Sequence, residues 1–161
     1  MPCEVLNFFE IPCCHYYEEG VGIGIDRKGN EIIRFYLIDR NTNNAEYREK
    51  RQEISDGEIC DLIISYKLRN NEKIIFCLVE LKGAKINHAI DQICRVFDFL
   101  QTKNCCHQTI NWKAYICSNV SSPVKKNDSF IIKLKQRFQP GDYKISKNRV
   151  TDPFANFLRD C

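Results

Sequence analysis

Apolar residues along the chain follow two different spacings, one typical of strands and the other typical of a helix. Apolar and β-branched residues dominate 31–38, 59–67 and 73–81, which predicts three strands. A short polar turn separates the last two, so we expect them to form an antiparallel hairpin. Further along, apolar residues recur at helical spacing with charged residues opposite them, which predicts an amphipathic helix over 86–102.

The rest of the pattern is less regular. A polar stretch of good helix formers predicts a short helix over 42–53, and apolar residues predict strands over 112–118 and 143–150. Within residues 1–20 the pattern indicates only two short extended pieces, 7–11 and 13–17, broken by Pro12, and the segment 129–138 is not assigned to a helix or a strand. A strand, a hairpin, a helix and a further strand in this order indicate an α/β fold, not a helical bundle or a β-sandwich.

The chain length and composition narrow the class of protein. The 161 residues, of which 43% are hydrophobic, suit a single domain spanning 1–161. With 7 glycines and 5 prolines, the chain is neither collagen-like nor disordered. No apolar run approaches the roughly 18 residues of a membrane span, and the first residues lack the basic and apolar regions of a signal peptide. We therefore expect a cytoplasmic protein with no membrane partner.

Ten cysteines are a large number for such a chain. Cys60, Cys77, Cys94 and Cys117 fall within apolar segments, where a reduced cysteine acts as a small hydrophobic residue. Two Cys-Cys-His triplets, at 13–15 and 105–107, offer ligands for a Zn²⁺ site. Adjacent cysteines point in different directions, however, and the triplets contain no Cys-x-x-Cys pair, so free thiols are the favoured interpretation.

The formal net charge of +3 conceals an uneven distribution. Residues 1–122 carry a net charge of −2, whereas 123–161 carry +5. A basic segment after an acidic body indicates a polyanionic partner, although a solvated positive face would have the same composition. The candidate contacts to a nucleic-acid backbone are Lys125, Lys126, Lys133, Lys135, Arg137, Lys144, Lys147 and Arg149.

Three charged residues are expected to meet at one end of the predicted hairpin. Glu80 and Lys82 are two residues apart in the second strand, so they share a face, which also carries Phe76 and Leu78. The start of the first strand, where Asp61 lies, pairs with the end of the second in an antiparallel hairpin. Charges at the end of a buried strand are costly unless they are paired or functional. An exposed ion pair is the simpler alternative.

Two carboxylates and a lysine suit the hydrolysis of a phosphate ester. Mg²⁺ takes oxygen ligands and keeps several waters. The cation polarises the phosphoryl oxygen and lowers the pKa of a bound water, while the lysine orients that water or neutralises developing charge.

The arrangement of Asp61, the hairpin, Glu80-Leu81-Lys82 and a following amphipathic helix resembles the PD-(D/E)XK nuclease superfamily, which includes restriction endonucleases and Holliday-junction resolvases. The resemblance covers about 40–118 and leaves the basic C-terminal segment 123–161 outside it. It implies a restriction-endonuclease-like core with a central mixed β-sheet flanked by helices. The proline of the family's namesake motif is missing, because Ile59 and Cys60 precede the aspartate.

The resemblance also implies roles for individual residues. By position, Asp61, Glu80 and the backbone carbonyl of Leu81 would ligate Mg²⁺ or Mn²⁺. Lys82 would be the catalytic lysine, and Gln92 resembles a helix-borne glutamine that contacts the substrate or the site. Many members use a further glutamate from the first helix, for which the candidates are Glu46, Glu49, Glu53 and Glu58.

The activity implied by the resemblance is that of a Mg²⁺-dependent endonuclease that hydrolyses phosphodiester bonds, with DNA as the expected substrate. A chain of this length leaves little room for a targeting domain, so we expect a homodimer or a targeting partner protein. Two alternatives stay open. One is a catalytically silent nucleic-acid- or protein-binding module on the same fold, and the other is a zinc-stabilised domain built on the cysteine triplets.

Overall fold

The structure is a computed structural model, and it describes most of the chain: residues 4–18, 20–81, 85–103, 110–118, 128–147 and 154–160, without the side chain of Lys147. Its strands are β1 (Glu10–Ile11), β2 (His15–Glu18), β3 (Val21–Gly24), β4 (Glu31–Leu37), β5 (Leu62–Leu68), β6 (Ile74–Glu80), β7 (Ile110–Ser118) and β8 (Tyr143–Lys147). Its helices are α1 (Glu4–Asn7), α2 (Ala45–Ile54), α3 (Ile86–Thr102), α4 (Ser129–Arg137) and α5 (Phe154–Arg159).

A mixed six-stranded sheet lies at the centre of the α/β fold, in the order β1-β4-β5-β6-β7-β8. Strands β1, β4, β5 and β6 pair antiparallel, and β7 and β8 run parallel to β6. Every residue of β6 is buried, as expected of a central strand. The parallel strands β6, β7 and β8 all end at one edge of the sheet, which is where ligands bind in many open sheets of this kind.

The two faces of the sheet bury separate apolar clusters. Phe76 and Leu78 of β6 lie in the cluster that includes Ile90 and Ile93 of α3. Their neighbours Cys77 and Val79 project to the other face, into a cluster that contains residues of β3 and α5. This alternation confirms the predicted assignment of side chains to the two faces of the strand.

Helix α5 is tied to the sheet by a buried ion pair. Arg159 donates to both carboxylate oxygens of Glu31, at 2.7 and 2.9 Å, and Glu31 is only 6% exposed. Tyr66 and the backbone N–H of Lys28 also donate to this carboxylate. The hydrogen bond from Arg159 is the largest of the effects that together lower the pKa of Glu31 to about 2. The carboxylate is therefore charged throughout the physiological pH range.

A buried lysine holds the end of the same helix. Lys113 of β7 is 1% exposed and donates to the backbone carbonyls of Phe157, at 2.8 Å, and Asp160. Its Nζ also lies 4.8 Å from the centre of the Phe157 ring. The lysine thus supplies hydrogen bonds to carbonyls that an α-helix leaves unpaired at its C-terminus.

Most of the elements predicted from the sequence are present. The helix over 86–102 and the antiparallel hairpin are confirmed. The predicted helix over 42–53 begins instead at Ala45, because the side chain of Asn44 caps it by accepting from the backbone N–H of Tyr47. The two short extended pieces expected at 7–11 and 13–17 correspond to the strands β1 and β2, and the short helix α1 precedes them, ending at Asn7. The unassigned segment 129–138 forms α4, and the part of 143–150 beyond β8 lies outside the described residues.

The prediction of four core thiols is also confirmed, since Cys60, Cys77, Cys94 and Cys117 are all buried and form no disulfide in the described structure. Within the described residues, no helix is both long and apolar enough to cross a membrane.

Candidate active site

Asp61 and Glu80 meet where the β5–β6 hairpin joins the end of the sheet. Leu62 pairs with Val79, which places Asp61 beside Glu80. The backbone N–H of Leu81 donates to the Asp61 carboxylate at 2.7 Å, and the backbone of Asp61 in turn hydrogen-bonds the carboxyl group of Glu80. Each strand therefore orients the acid carried by the other, as the antiparallel topology predicts.

The backbone that follows β4 also holds Asp61 in place. The N–H groups of Ile38 and Asp39, just beyond β4, donate to the backbone carbonyl of Asp61 at 3.0 and 3.3 Å. The predicted strand 59–67 thus begins as a regular strand only at Leu62, while Ile59 and Cys60 are buried before it.

Glu80 is a buried acid with one oxygen that no described residue contacts by a hydrogen bond. The residue is 7% exposed, and its Oε2 has no hydrogen-bond partner among the residues that the structure describes. Burial raises its pKa to about 9, and the charges of Asp61, Asp39 and Glu18 act in the same direction, whereas the hydrogen bond from Asp61 opposes them. In the absence of a cation, Glu80 therefore keeps its proton at neutral pH.

These two acids fit a small, hard divalent cation. An ionised carboxylate only accepts hydrogen bonds, so a buried oxygen without a donor is satisfied by a proton or by a metal ion. Among the residues that the structure describes, no group of three or more His, Cys, Asp or Glu side chains forms a ready-made metal cluster. Mg²⁺ needs no such cluster, because it binds through one or two carboxylates and keeps several waters.

Asp39 is a third acid at this site, and the sequence analysis did not select it. Its charge raises the pKa of both Glu80 and Cys60. Nε of Arg51, on α2, donates to Asp39 Oδ1 at 3.1 Å. The sequence does contain a signal for Asp39, because this acid directly follows an apolar strand, just as Glu80 ends one. Since β4 ends beside the start of β5, Asp39 lies near Asp61.

Glu18 is a fourth acid whose charge acts on Glu80. It ends β2, a strand of the small two-stranded β2–β3 sheet and not of the main one. No spacing along the chain connects it with the hairpin, so only the packing of the β2–β3 sheet against the main sheet brings it near.

The acids expected from the first helix lie elsewhere. Glu46, Glu49 and Glu53 are exposed on α2, and Glu53 pairs with Lys50 at 2.7 Å. Glu58 is exposed beyond the helix, 3.8 Å from Nδ1 of His88. The acids with the largest effects on Glu80 are instead Asp61, Asp39 and Glu18.

Of the other residues that the resemblance singled out, Leu81 is buried and Gln92 is half-buried on α3. Helix α3 packs on β6, on the face of the sheet to which Glu80 belongs. Lys82 lies outside the described residues.

Two of the candidate nucleic-acid contacts are already paired within the protein. Lys133 of α4 pairs with Asp91 of α3 at 2.7 Å, and Arg137 donates to both carboxylate oxygens of Asp98. These ion pairs join two neighbouring helices and reduce the positive charge that α4 offers to a nucleic acid. Lys135 is exposed on the same helix.

The remaining basic candidates do not form one surface with the acids in the described part of the chain. Lys144 of β8 lies opposite Tyr115 of β7 in the strand register. The Tyr115 side chain belongs to the apolar cluster that contains residues of β3 and α5, so Lys144 projects to the face of the sheet opposite Glu80. There it lines an open groove of about 520 Å³ together with Asn156 and Arg159. Lys125, Lys126, Arg149 and the side chain of Lys147 lie outside the described residues.

The first cysteine triplet lies at the start of β2. Cys13 is exposed, Cys14 is half-buried, and Nε2 of His15 lies 3.4 Å from Asp26. The second triplet, 105–107, is outside the described residues, so the zinc hypothesis stays a prediction.

The chemical capacity of the site resides in two fixed carboxyl groups at the end of a central strand. Glu80 could hold a proton or a cation, and Asp61 offers a second carboxylate, whose orientation is set by the backbone. Comparisons of the chain with protein-family models, curated proteins and solved structures gave no match.

Proposed function

We propose that this protein is a metal-dependent nuclease of the PD-(D/E)XK type that hydrolyses phosphodiester bonds in DNA, on a restriction-endonuclease-like core. The observation that carries the proposal is the buried Oε2 of Glu80, which has no hydrogen-bond partner in the described part of the chain and lies beside the Asp61 carboxylate. A purely structural acid in this position would leave an uncompensated polar atom in the core, which is costly. The order of hairpin, α3 and parallel β7 also agrees with the expected core.

In this proposal, Asp61 and Glu80 would hold Mg²⁺ or Mn²⁺. The bound cation would polarise a phosphoryl oxygen and lower the pKa of a coordinated water. To act as a ligand, Glu80 would have to release its proton to the solvent. The N–H of Leu81 keeps the Asp61 carboxylate in place. Lys82 follows directly in the sequence, and the resemblance assigns it the role of orienting the attacking water.

Asp39 and Arg51 extend the proposed site on the side of α2. Asp39 adds negative charge near the two ligands, which increases the attraction for a divalent cation. Arg51 limits that charge by pairing with Asp39. We therefore assign Asp39 to positioning and tuning of the site, not to direct ligation.

The test is a cleavage panel with single-stranded DNA, double-stranded DNA and RNA, each with Mg²⁺, Mn²⁺ or EDTA. We expect metal-dependent cleavage by the wild type and its loss in Asp61→Asn and Glu80→Gln. Glu53→Gln is the matched control, because Glu53 is an exposed acid on α2. Circular dichroism checks that all variants fold.

A wild-type protein that cuts none of these substrates with either metal would refute the proposal. Cleavage that persists in Glu80→Gln would refute the assigned site. Nucleic-acid binding without metal binding or cleavage would instead support the silent binding module.

A further inference from the structure

The β2–β3 hairpin carries two aromatic rings side by side on its outer face. His15 pairs with Gly24 and Tyr17 pairs with Gly22 across the two strands. Tyr17 is 72% exposed, and the His15 side chain is 47% exposed. Both residues alternate with Tyr16, which packs against the core beneath the hairpin.

The glycines allow these rings to lie against the backbone of the neighbouring strand. A Cβ atom on Gly22 would stand 2.0 Å from Cδ1 of Tyr17, and one on Gly24 would stand 2.0 Å from Cδ2 of His15. Any side chain at either glycine would therefore displace the ring. With one side supported by the backbone, each ring offers its other side to the solvent.

One end of the hairpin approaches the candidate active site. Glu18, the next residue after Tyr17, acts on the pKa of Glu80 from the opposite face of the same strand. Val21 and Ile23 of β3 are buried in the core of the main domain, which fixes the hairpin in position. A ligand on the two rings would thus lie on the outer face of the strand that carries Glu18.

The spacing of the rings favours unpaired bases. Residues i and i+2 of a strand are about 6.6 Å apart, roughly twice the 3.4 Å rise per nucleotide within one strand of a duplex. Bases separated by that distance are unstacked from one another, which requires a single-stranded or unpaired segment. Aromatic side chains on a β-sheet bind single strands in this way by stacking with the bases.

We propose that unpaired bases of a nucleic acid stack on Tyr17 and His15, and that the preferred substrate is single-stranded or contains an unpaired segment. This inference rests on the proposed nuclease function for the identity of the ligand. Asp26 lies 3.4 Å from Nε2 of His15, at the end of the two-ring surface.

The test measures binding of a single-stranded oligonucleotide that contains 2-aminopurine, whose fluorescence falls when it stacks on a ring. Proteins carry Glu80→Gln so that a bound strand is not cut. We expect Tyr17→Ala and His15→Ala each to weaken binding by about 5- to 150-fold and to reduce the quenching. Tyr17→Trp should retain both, because it keeps an aromatic ring.

Two controls make the test specific. Ile132→Ala removes an exposed apolar side chain on α4, away from the hairpin, and should bind as the parent does. A fully paired duplex should bind the Tyr17→Ala variant and its parent equally, since a duplex offers no unpaired base.

The outcomes separate this inference from the proposed function. Wild-type cleavage of DNA combined with unchanged single-strand binding by Tyr17→Ala and His15→Ala would overturn the stacking surface and leave the nuclease intact. Loss of binding in these variants, in a protein that cuts nothing, would support the surface and reject the nuclease. Absence of any single-strand binding by the parent would also overturn the surface.

Discussion

The state of Glu80 in the cation-free protein gives a direct test of the site. Its pKa is about 9 in the folded chain, whereas an ordinary glutamate has a model value of 4.5. A carboxyl group whose pKa is raised by folding favours the folded state most at low pH. As the pH rises from about 4.5 to about 9, the unfolded chain releases the proton and the folded chain retains it, so the protein loses stability.

The size of this loss follows from the pKa difference. For each pH unit between the pKa of the unfolded chain and the pH of the experiment, the free energy of unfolding changes by about 1.4 kcal/mol. At pH 7 the interval is about 2.5 units, so the contribution reaches about 3 kcal/mol as an upper limit. Glu80→Gln keeps the shape of the protonated acid and cannot ionise, so it should be more stable than the wild type at neutral pH by up to this amount.

Urea unfolding in EDTA between pH 5 and pH 9 measures the difference. We expect the wild-type free energy of unfolding to fall relative to that of Glu80→Gln as the pH rises. Glu53→Gln, at an exposed position of α2, should follow the wild type. Parallel curves for the wild type and Glu80→Gln would refute the claim that Glu80 is protonated at neutral pH.

Three further predictions concern α5 and the core. Arg159→Ala should lower the free energy of unfolding by about 1.5–3 kcal/mol at pH 7. In urea unfolding this deficit should shrink as the pH falls from about 4.5 towards 2, where Glu31 becomes protonated; a pH-independent deficit would contradict the ion pair. Lys113→Met should accelerate amide hydrogen exchange in α5, and unchanged exchange would show that Lys113 does not hold the helix. In thiol labelling, the exposed Cys13 should react in the native protein. The four buried thiols should react only after unfolding, and rapid labelling of them in the native protein would contradict their burial; they are Cys60, Cys77, Cys94 and Cys117.

Local patterns in the sequence were sufficient to predict the central helix and the central hairpin. The bounds of α3 follow from a long amphipathic repeat, and the meeting of Asp61 with Glu80 follows from the short turn between two apolar strands. In both cases the interaction that decides the structure lies within about 20 residues. The nine residues of α4 are too few to show a clear helical repeat of apolar positions, so the sequence alone does not predict this helix.

Long-range packing accounts for what the sequence analysis missed. Glu31 and Arg159 are 128 residues apart, and nothing in the sequence marks them as partners. The approach of Glu18 to Glu80 depends on how the β2–β3 sheet docks. Likewise, the pairing of Lys133 with Asp91 requires α4 to lie along α3, so the composition of the basic segment overstated the charge available to a ligand.

The reciprocal hydrogen bonds between Asp61 and the end of β6 link the formation of the site to the alignment of the strands. If β6 slipped by one residue against β5, its side chains would exchange faces and the Leu81 N–H would no longer meet the Asp61 carboxylate. Misaligned intermediates would lack the paired acids during folding. Under the proposed function, metal binding would therefore report on native strand alignment, and its recovery during refolding should coincide with completion of the central sheet.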